Sequence, residues 1–206
     1  MNFAPRVAPR VPRPGSRLAA RTAEAGVART HHRLNIGDVV ASRQPAVLQT
    51  VLGSCVSVCL WDPVQMVGGM NHILLPSGAN DGHATRFGLN AMELLINKIM
   101  VLGGSRTRLV AKAFGGANVI ASLQSPTVGE RNAHFVKTFL ATEKIALLAQ
   151  RLGGTQAVEV SFNTDTAKVI VGTVDGTRLR KRVAEEENYG SFVEHKKASA
   201  GETTLF

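Results

Sequence analysis

Cysteine is scarce in this chain of 206 residues: only Cys55 and Cys59 occur. They stand four positions apart in a segment that reads as extended, which puts them on one face roughly 13 Å from each other. That spacing excludes a mutual disulfide. Two cysteines without a second CxxC or a nearby pair of histidines also fall short of a structural zinc set. Long apolar runs are missing as well. No stretch reaches the 18 or so uninterrupted apolar residues that a spanning helix needs, and the N-terminus lacks the apolar block of a secretory signal. The expectation is a cytoplasmic protein without membrane insertion, and free thiols fit the reducing conditions of that compartment.

Acidic residues are the third shortage, and it is local. Residues 1–33 hold seven arginines against one acid, Glu24, and so carry six of the nine net positive charges. Spread over the other 173 residues, the remaining three make no basic face, and no nucleic-acid partner is expected. The same 33 residues contain four of the eight prolines. Such a composition buries too little apolar surface to offset the cost of ordering, so residues 1–33 read as a disordered arm. Its arginine-rich character resembles a mitochondrial presequence, but the prolines interrupt any amphipathic helix. A third use of the arm, binding nucleic acid or an anionic surface, would reveal itself as steep salt dependence lost on deleting residues 1–33.

What is present from Leu34 onward alternates strand-like and helical runs. Leu34–Ser42, Ala46–Leu52, Val56–Trp61 and Gly69–Leu75 read as extended, each bounded by glycine or proline. Ala91, Met92, Leu95, Ile99 and Leu102 follow helical spacing, which predicts a helix over Phe87–Leu102 stopped by Gly103 and Gly104. Leu109–Phe114 reads as a strand entering a glycine turn, and Arg131–Thr142 as a second helix. Ile145–Ala149 is ambiguous by periodicity. Strands at Ala157–Phe162 and Lys168–Val174 follow. The outcome is an α/β domain over residues 34–176, with a charged tail at 177–206 that is expected to fray.

Within that domain Cys55 follows Gly53 and Ser54 at a tight corner where small neighbours leave a sulfur approachable. Backbone N–H groups at such a corner can face a developing oxyanion. A buried, inert thiol is an equally good reading of Cys55 in isolation. Cys59, inside the next strand, reads as a small core residue. Among the histidines, His72 lies on a strand-like run, whereas His31 and His32 fall in the arm and His195 in the tail; His83 and His134 are the other two in the domain. The connection between the Cys55 and His72 strands suits a hairpin, which would bring both residues to one end as an activated thiolate pair. An isolated strand histidine, though, more often simply fills a core or edge position.

The order of motifs changes that balance. Leu52-Gly53-Ser54-Cys55-Val56, Cys59-Leu60-Trp61-Asp62-Pro63 and Gly68-Gly69-Met70-Asn71-His72-Ile73-Leu74-Leu75-Pro76 resemble the chemoreceptor glutamine deamidase family, CheD. Arg86-Phe87-Gly88, Glu93-Leu94-Leu95-Ile96-Asn97, Lys112-Ala113-Phe114-Gly115-Gly116-Ala117 and Gly129-Glu130-Arg131-Asn132-Ala133 continue the resemblance, which spans residues 34–174. The resemblance implies a single-domain α/β sandwich of mixed β-sheet with two main helices packed on it, a Cys-His hydrolase related to toxin deamidases. It implies Cys55 as nucleophile, His72 as base and a threonine as third member. Thr50 is the obvious candidate, with Gln49 beside it; adjacent strand residues face opposite ways, so one of the two orients His72. The activity so implied is that of a protein-glutamine glutaminase. Glutamine side chains, and some glutamate methyl esters, on the cytoplasmic helices of methyl-accepting chemotaxis receptors would be hydrolysed through an acyl-thioester. Ser54, Gly53, Asn71, Gly115 and Gly116, with Asn132, are the candidates for oxyanion and substrate-lining positions, although turn and cap roles suit the glycines and Asn132 equally. The family also implies a CheC-type chemotaxis phosphatase as a possible partner. A non-catalytic adaptor of that phosphatase is the competing reading, and a cell-wall amide is a competing substrate.

Overall fold

The computed structural model describes residues 28–75, 81–119, 126–174, 184–186 and 188–189. Two sheets form the frame. One has the strand order β1-β3-β8-β9, from β1 (Thr30–Arg33), β3 (Ala46–Leu52), β8 (Val158–Asn163) and β9 (Val169–Thr173). The other has the order β2-β5-β4-β6-β7, from β2 (Val39–Ser42), β5 (Val67–Asn71), β4 (Val56–Asp62), β6 (Val110–Gly115) and β7 (Ala146–Leu152). Helix α1 (Asp81–Val101) joins β5 to β6, and α2 (Val128–Thr142) joins β6 to the parallel β7. A parallel pair needs such a crossover because its strands run the same way.

Strand alternation divides the core in two. Val56, Val58 and Leu60 of β4 pack with Met92, Leu95, Ile96 and Ile99 of α1 and with Val136, Phe139 and Leu140 of α2. Cys55 and Cys59 point the other way, into a second cluster with Leu48 and Leu52 of β3, Met70 of β5 and Val158, Val160 and Phe162 of β8. The architecture is thus sheet on sheet with both helices on the outer face of the five-stranded sheet, the mixed α/β sandwich expected from the sequence.

Three expectations are corrected in detail and one open reading is decided. Sheet structure begins before Leu34: β1 pairs in parallel with β3, and Arg29 beside it donates two hydrogen bonds to Asp165. An exposed edge strand of four residues is held by backbone bonds that composition does not register. The remainder of the arm, residues 1–27, lies outside the described residues. Leu34–Ser42 is not one strand, because Asn35–Asp38 turns: Asp38 N donates to Asn35 O, Asn35 N donates to the Asp38 carboxylate, and Gly37 takes φ +89°. The ambiguous segment after Ile145 is edge strand β7, mostly exposed, so it needs no apolar alternation. Finally, α2 starts at Val128 on a capping box in which Thr127 Oγ1 accepts from Glu130 N and the Glu130 carboxylate accepts from Thr127 N.

Asp62, at the end of β4, is fully buried and anchors the loops at that end of the sheet. Its carboxylate accepts from Val64 N, Gln65 N and Ser105 N and from the Arg108 guanidinium at 2.7 Å. Burial raises its pKa, but the Arg108 bonds and the three backbone N–H donors outweigh burial and hold the carboxyl well below the usual carboxylate range. Because the folded-state pKa is depressed, this stabilisation is fully present above the unfolded value of about 3.9 and fades as pH falls toward the folded one. Asp62→Asn is expected to cost about 3 kcal/mol near neutrality, by loss of charge-assisted bonds. It should also flatten the fall of Tm with pH below about 4. Thermal unfolding of both proteins from pH 7 to pH 3 measures this; parallel curves would exclude the role.

Candidate active site

Val56 and Ile73 exchange both backbone hydrogen bonds as an antiparallel pair, at 2.9 and 2.8 Å. In that register Cys55 lies opposite Leu74 and diagonal to His72, a separation of about 7 Å across the strands. Both side chains face the space between the sheets: Cys55 belongs to the inter-sheet cluster, and His72 reaches a residue of β3. The two residues singled out from the sequence are therefore brought together.

Thr50 is the β3 residue that meets His72. Its Oγ1 lies 2.8 Å from His72 Nδ1 and 2.9 Å from the Leu34 carbonyl oxygen. A hydroxyl has one proton, and here the carbonyl takes it, so toward the imidazole Thr50 can only accept. Nδ1 then carries a hydrogen, and when the ring is neutral its lone pair is on Nε2, itself buried. The peptide of His72 is fixed too, with His72 N donating to Asp38 O and Gly37 N donating to His72 O. Gln49, the alternative third member, points away and donates to Ser161 Oγ at 3.5 Å.

The Cys55 corner is clamped from two sides. Behind it, Gly116 N donates to Cys55 O at 2.7 Å and Ala117 N donates to Gly53 O at 2.8 Å. Gly115 and Gly116 adopt φ of +99° and +68°, and a Cβ on Gly115 would collide with the Cys55 carbonyl. These glycines brace the corner; the groove beside Ser54 is lined instead by Ala117, Asn118, Val119, Thr127, Val128 and Gly129. In front, Asn132 of α2 donates to Ser54 O at 2.8 Å and accepts from Leu75 N at 3.0 Å. Since C=O and N–H of a trans peptide point in opposite directions, holding Ser54 O aims the Cys55 N–H away from α2. Asn132 thus holds the peptide between Ser54 and Cys55, a contact its position in the sequence does not announce. Asn71, by contrast, serves the sheet: its Oδ1 accepts from Val58 N and its Nδ2 approaches Met92 Sδ at 3.2 Å.

The donors at the corner are engaged. Glu186 Oε2 accepts from Ser54 Oγ at 2.6 Å and from Ser54 N at 3.3 Å, and its Oε1 accepts from Cys55 N at 3.5 Å. Glu186 is buried, and residues 184–186 and 188–189 are helical, so this part of the tail does not fray as its charge density suggested. Nothing in a Glu-Glu-Glu run marks its middle member for burial; only a fold that offers it three donors does so. Cys55 is fully buried beneath these contacts, and Cys59, further along β4, is buried as well. Burial pushes the Cys59 thiol far above its ordinary pKa, with the Lys112 charge a small opposing effect, so Cys59 stays a protonated core residue. His134 is exposed on α2, remote in role from the corner, and the side chain of His83 lies outside the described residues. Among the described residues no cluster of three or more His, Cys, Asp or Glu side chains is placed to hold a metal ion. No helix there is long and apolar enough to cross a membrane.

Replacing Asn132 with alanine would leave Ser54 O and Leu75 N without their side-chain partner, two losses that together cost about 2–3 kcal/mol. The expected result is a lower denaturation midpoint in urea, with the denaturant slope unchanged. An unshifted midpoint would remove Asn132 from this role.

Comparison with known proteins adds a family. A family model described as CheD chemotactic sensory transduction matches residues 74–173, a segment that begins just after His72. The chain is 48% identical over 139 residues to the probable chemoreceptor glutamine deamidase CheD 2 of Chromobacterium violaceum, covering 66% of this chain and 69% of that protein. It is 50% identical over 125 residues to the probable chemoreceptor glutamine deamidase CheD of Stenotrophomonas maltophilia, covering 60% and 63%. With the protein of the same description from Thiobacillus denitrificans, identity is 38% over 175 residues, covering 82% and 86%. A solved structure, the Bacillus licheniformis hypothetical protein YfiH, aligns with a TM-score of 0.37 at 16% identity over 55% of this chain and 49% of that one, too slight a likeness to bear on the fold.

Proposed function

This chain belongs to the CheD family, and from that premise we propose that it hydrolyses glutamine side chains of chemoreceptors to glutamate in the cytoplasm, as a Cys-His hydrolase with Cys55 as nucleophile. The observation that carries the reading is the Thr50 hydroxyl, which donates its hydrogen bond to Leu34 O, accepts from His72 Nδ1 and so sets the lone pair of the neutral imidazole on Nε2.

In the proposed reaction the Cys55 thiol passes its proton to His72 Nε2, and the thiolate attacks the δ-carbon of the substrate carboxamide. The carbonyl π pair moves onto oxygen, where Ser54 N–H and Cys55 N–H donate to the oxyanion. His72 then returns the proton to the amide nitrogen, the C–N bond breaks and ammonia leaves a Cys55 thioester. Water, losing a proton to the same Nε2, adds to the thioester carbon. The C–S bond breaks, the imidazolium reprotonates sulfur, and a glutamate is released. No electrons are exchanged. A glutamate methyl ester could follow the same course with methanol as leaving group.

The test is incubation of the purified chain with a receptor cytoplasmic fragment, reading ammonia and a fragment mass gain of about one dalton per event, the change from amide to acid. Absence of both across several receptors would overturn the reading.

A further inference from the structure

A buried carboxylate requires compensation. Glu186 is 6% exposed, and the donors that hold it are Ser54 N, Ser54 Oγ and Cys55 N. Among the described residues no cation pairs with it. These donors are the ones at which the oxyanion of the proposed reaction would be stabilised, and the side chain they hold is a glutamate, the chemical product of glutamine hydrolysis. It is presented from helical backbone at residues 184–186.

Other contacts shape the same pocket around this segment. A Cβ built on Gly53 would stand 3.0 Å from Glu186 Oε1, and one on Gly37 would stand 3.1 Å from the Tyr189 hydroxyl. Glycine therefore occurs at two points where the segment packs closely against the domain. Tyr189, the only tyrosine in the chain, packs edge-on against Phe87 with ring centroids 6.4 Å apart. Burial pushes its hydroxyl pKa up, with contributions from Cys55 and Asp38. Tyr189 packs against the buried cluster that contains Cys55.

We propose that Glu186 is an internal product analogue: its carboxylate fills the site for the substrate carboxamide at Ser54 and Cys55, and with Tyr189 it keeps the nucleophile covered until a receptor helix displaces it. The proposal rests on the deamidase reading of the Cys55 site. Receptor binding and tail release then compete for one set of donors, so basal turnover is held down and a partner that captures the tail would raise it.

The decisive variant, in the full chain, is Glu186→Gln, which places a carboxamide where the carboxylate sits. The site should hydrolyse its own tail: the introduced carboxamide plus water gives back Glu186 and ammonia, seen by peptide mass as a gain of about one dalton at position 186, and abolished when Cys55→Ala is added. In parallel, Glu186→Ala should let iodoacetamide alkylate Cys55 at least roughly tenfold faster than in the wild type, as expected if more than about 1.4 kcal/mol of closure is lost. If the carboxamide of Glu186→Gln stays intact in a protein that still deamidates a receptor fragment, and Cys55 is alkylated at the wild-type rate in Glu186→Ala, the proposal is overturned while the activity stands. If no variant deamidates anything, the deamidase reading fails, and faster alkylation in Glu186→Ala still establishes that the tail covers Cys55. Loss of receptor deamidation in Glu186→Ala at unchanged Tm would also overturn it, by making Glu186 a contributor to turnover.

Discussion

Cys55→Ala should release no ammonia from a receptor cytoplasmic fragment above roughly one ten-thousandth of the wild-type rate, whereas Cys59→Ala should stay within about a factor of two. The two thiols share the inter-sheet face of β4 and differ in what surrounds them. Cys55 stands at the corner, diagonal to His72, where Glu186 accepts from its own N–H and that of Ser54, the donors of the proposed oxyanion site. Removing its sulfur removes the bond-forming atom, and no neighbouring group replaces it. Cys59 stands opposite Met70 and Lys112 in regular strand pairing, and burial keeps its thiol protonated. Its truncation opens a cavity about the size of one sulfur atom, with a cost on the order of 1 kcal/mol to folding. Activity retained in Cys55→Ala would remove the nucleophile from the mechanism. Activity lost only with Cys59 would move the chemistry to the strand interior.

Thr50→Val, close to Thr in volume, is expected to lower kcat by about 10²–10³-fold, with Thr50→Ser recovering most of it. The hydroxyl does two things at once, donating to Leu34 O and accepting from His72 Nδ1. Valine leaves both groups without that partner and frees the imidazole to put its hydrogen on Nε2, where it cannot take the Cys55 proton. A cost to folding of about 2–4 kcal/mol accompanies the change, from two buried polar groups losing their bonds. Structural damage is distinguished from loss of orientation by assaying well below the Tm of the variant and by KM, which should change little because Thr50 does not face substrate. Full activity in Thr50→Val would leave the imidazole oriented by other contacts and remove threonine from the site.

Much of the architecture was legible in local patterning. Ala46–Leu52 and Val56–Asp62 read as continuous β-branched and apolar runs because both of their faces are buried, and α1 carries its apolar residues at helical spacing because one face of it is buried. Edge strand β7 and the exposed β1 escaped, since an element that buries little leaves no such period. The Thr127-to-Glu130 capping box was readable, and overlooking it put the start of α2 three residues late.

At the site, the sequence by itself singled out the candidate groups: a thiol after two small residues, an imidazole in a strand-like run and, through the family resemblance, two adjacent candidates for its orienter. Which of those two faces His72 is a matter of the packing of β3 across the second sheet, and the Thr50 hydroxyl wins because its side of the strand is the inner one. The tautomer follows from a bond to Leu34 O, sixteen residues away, which no spacing rule contains. Asn132 reaches Ser54 across 78 positions and Glu186 reaches it across 132. Contacts of that separation leave no periodic trace in the chain, because each depends on a single side chain arriving at a fixed place. The sequence therefore specified the chemistry on offer, and only the tertiary structure decided how the base is set, how the corner is aimed and what occupies it.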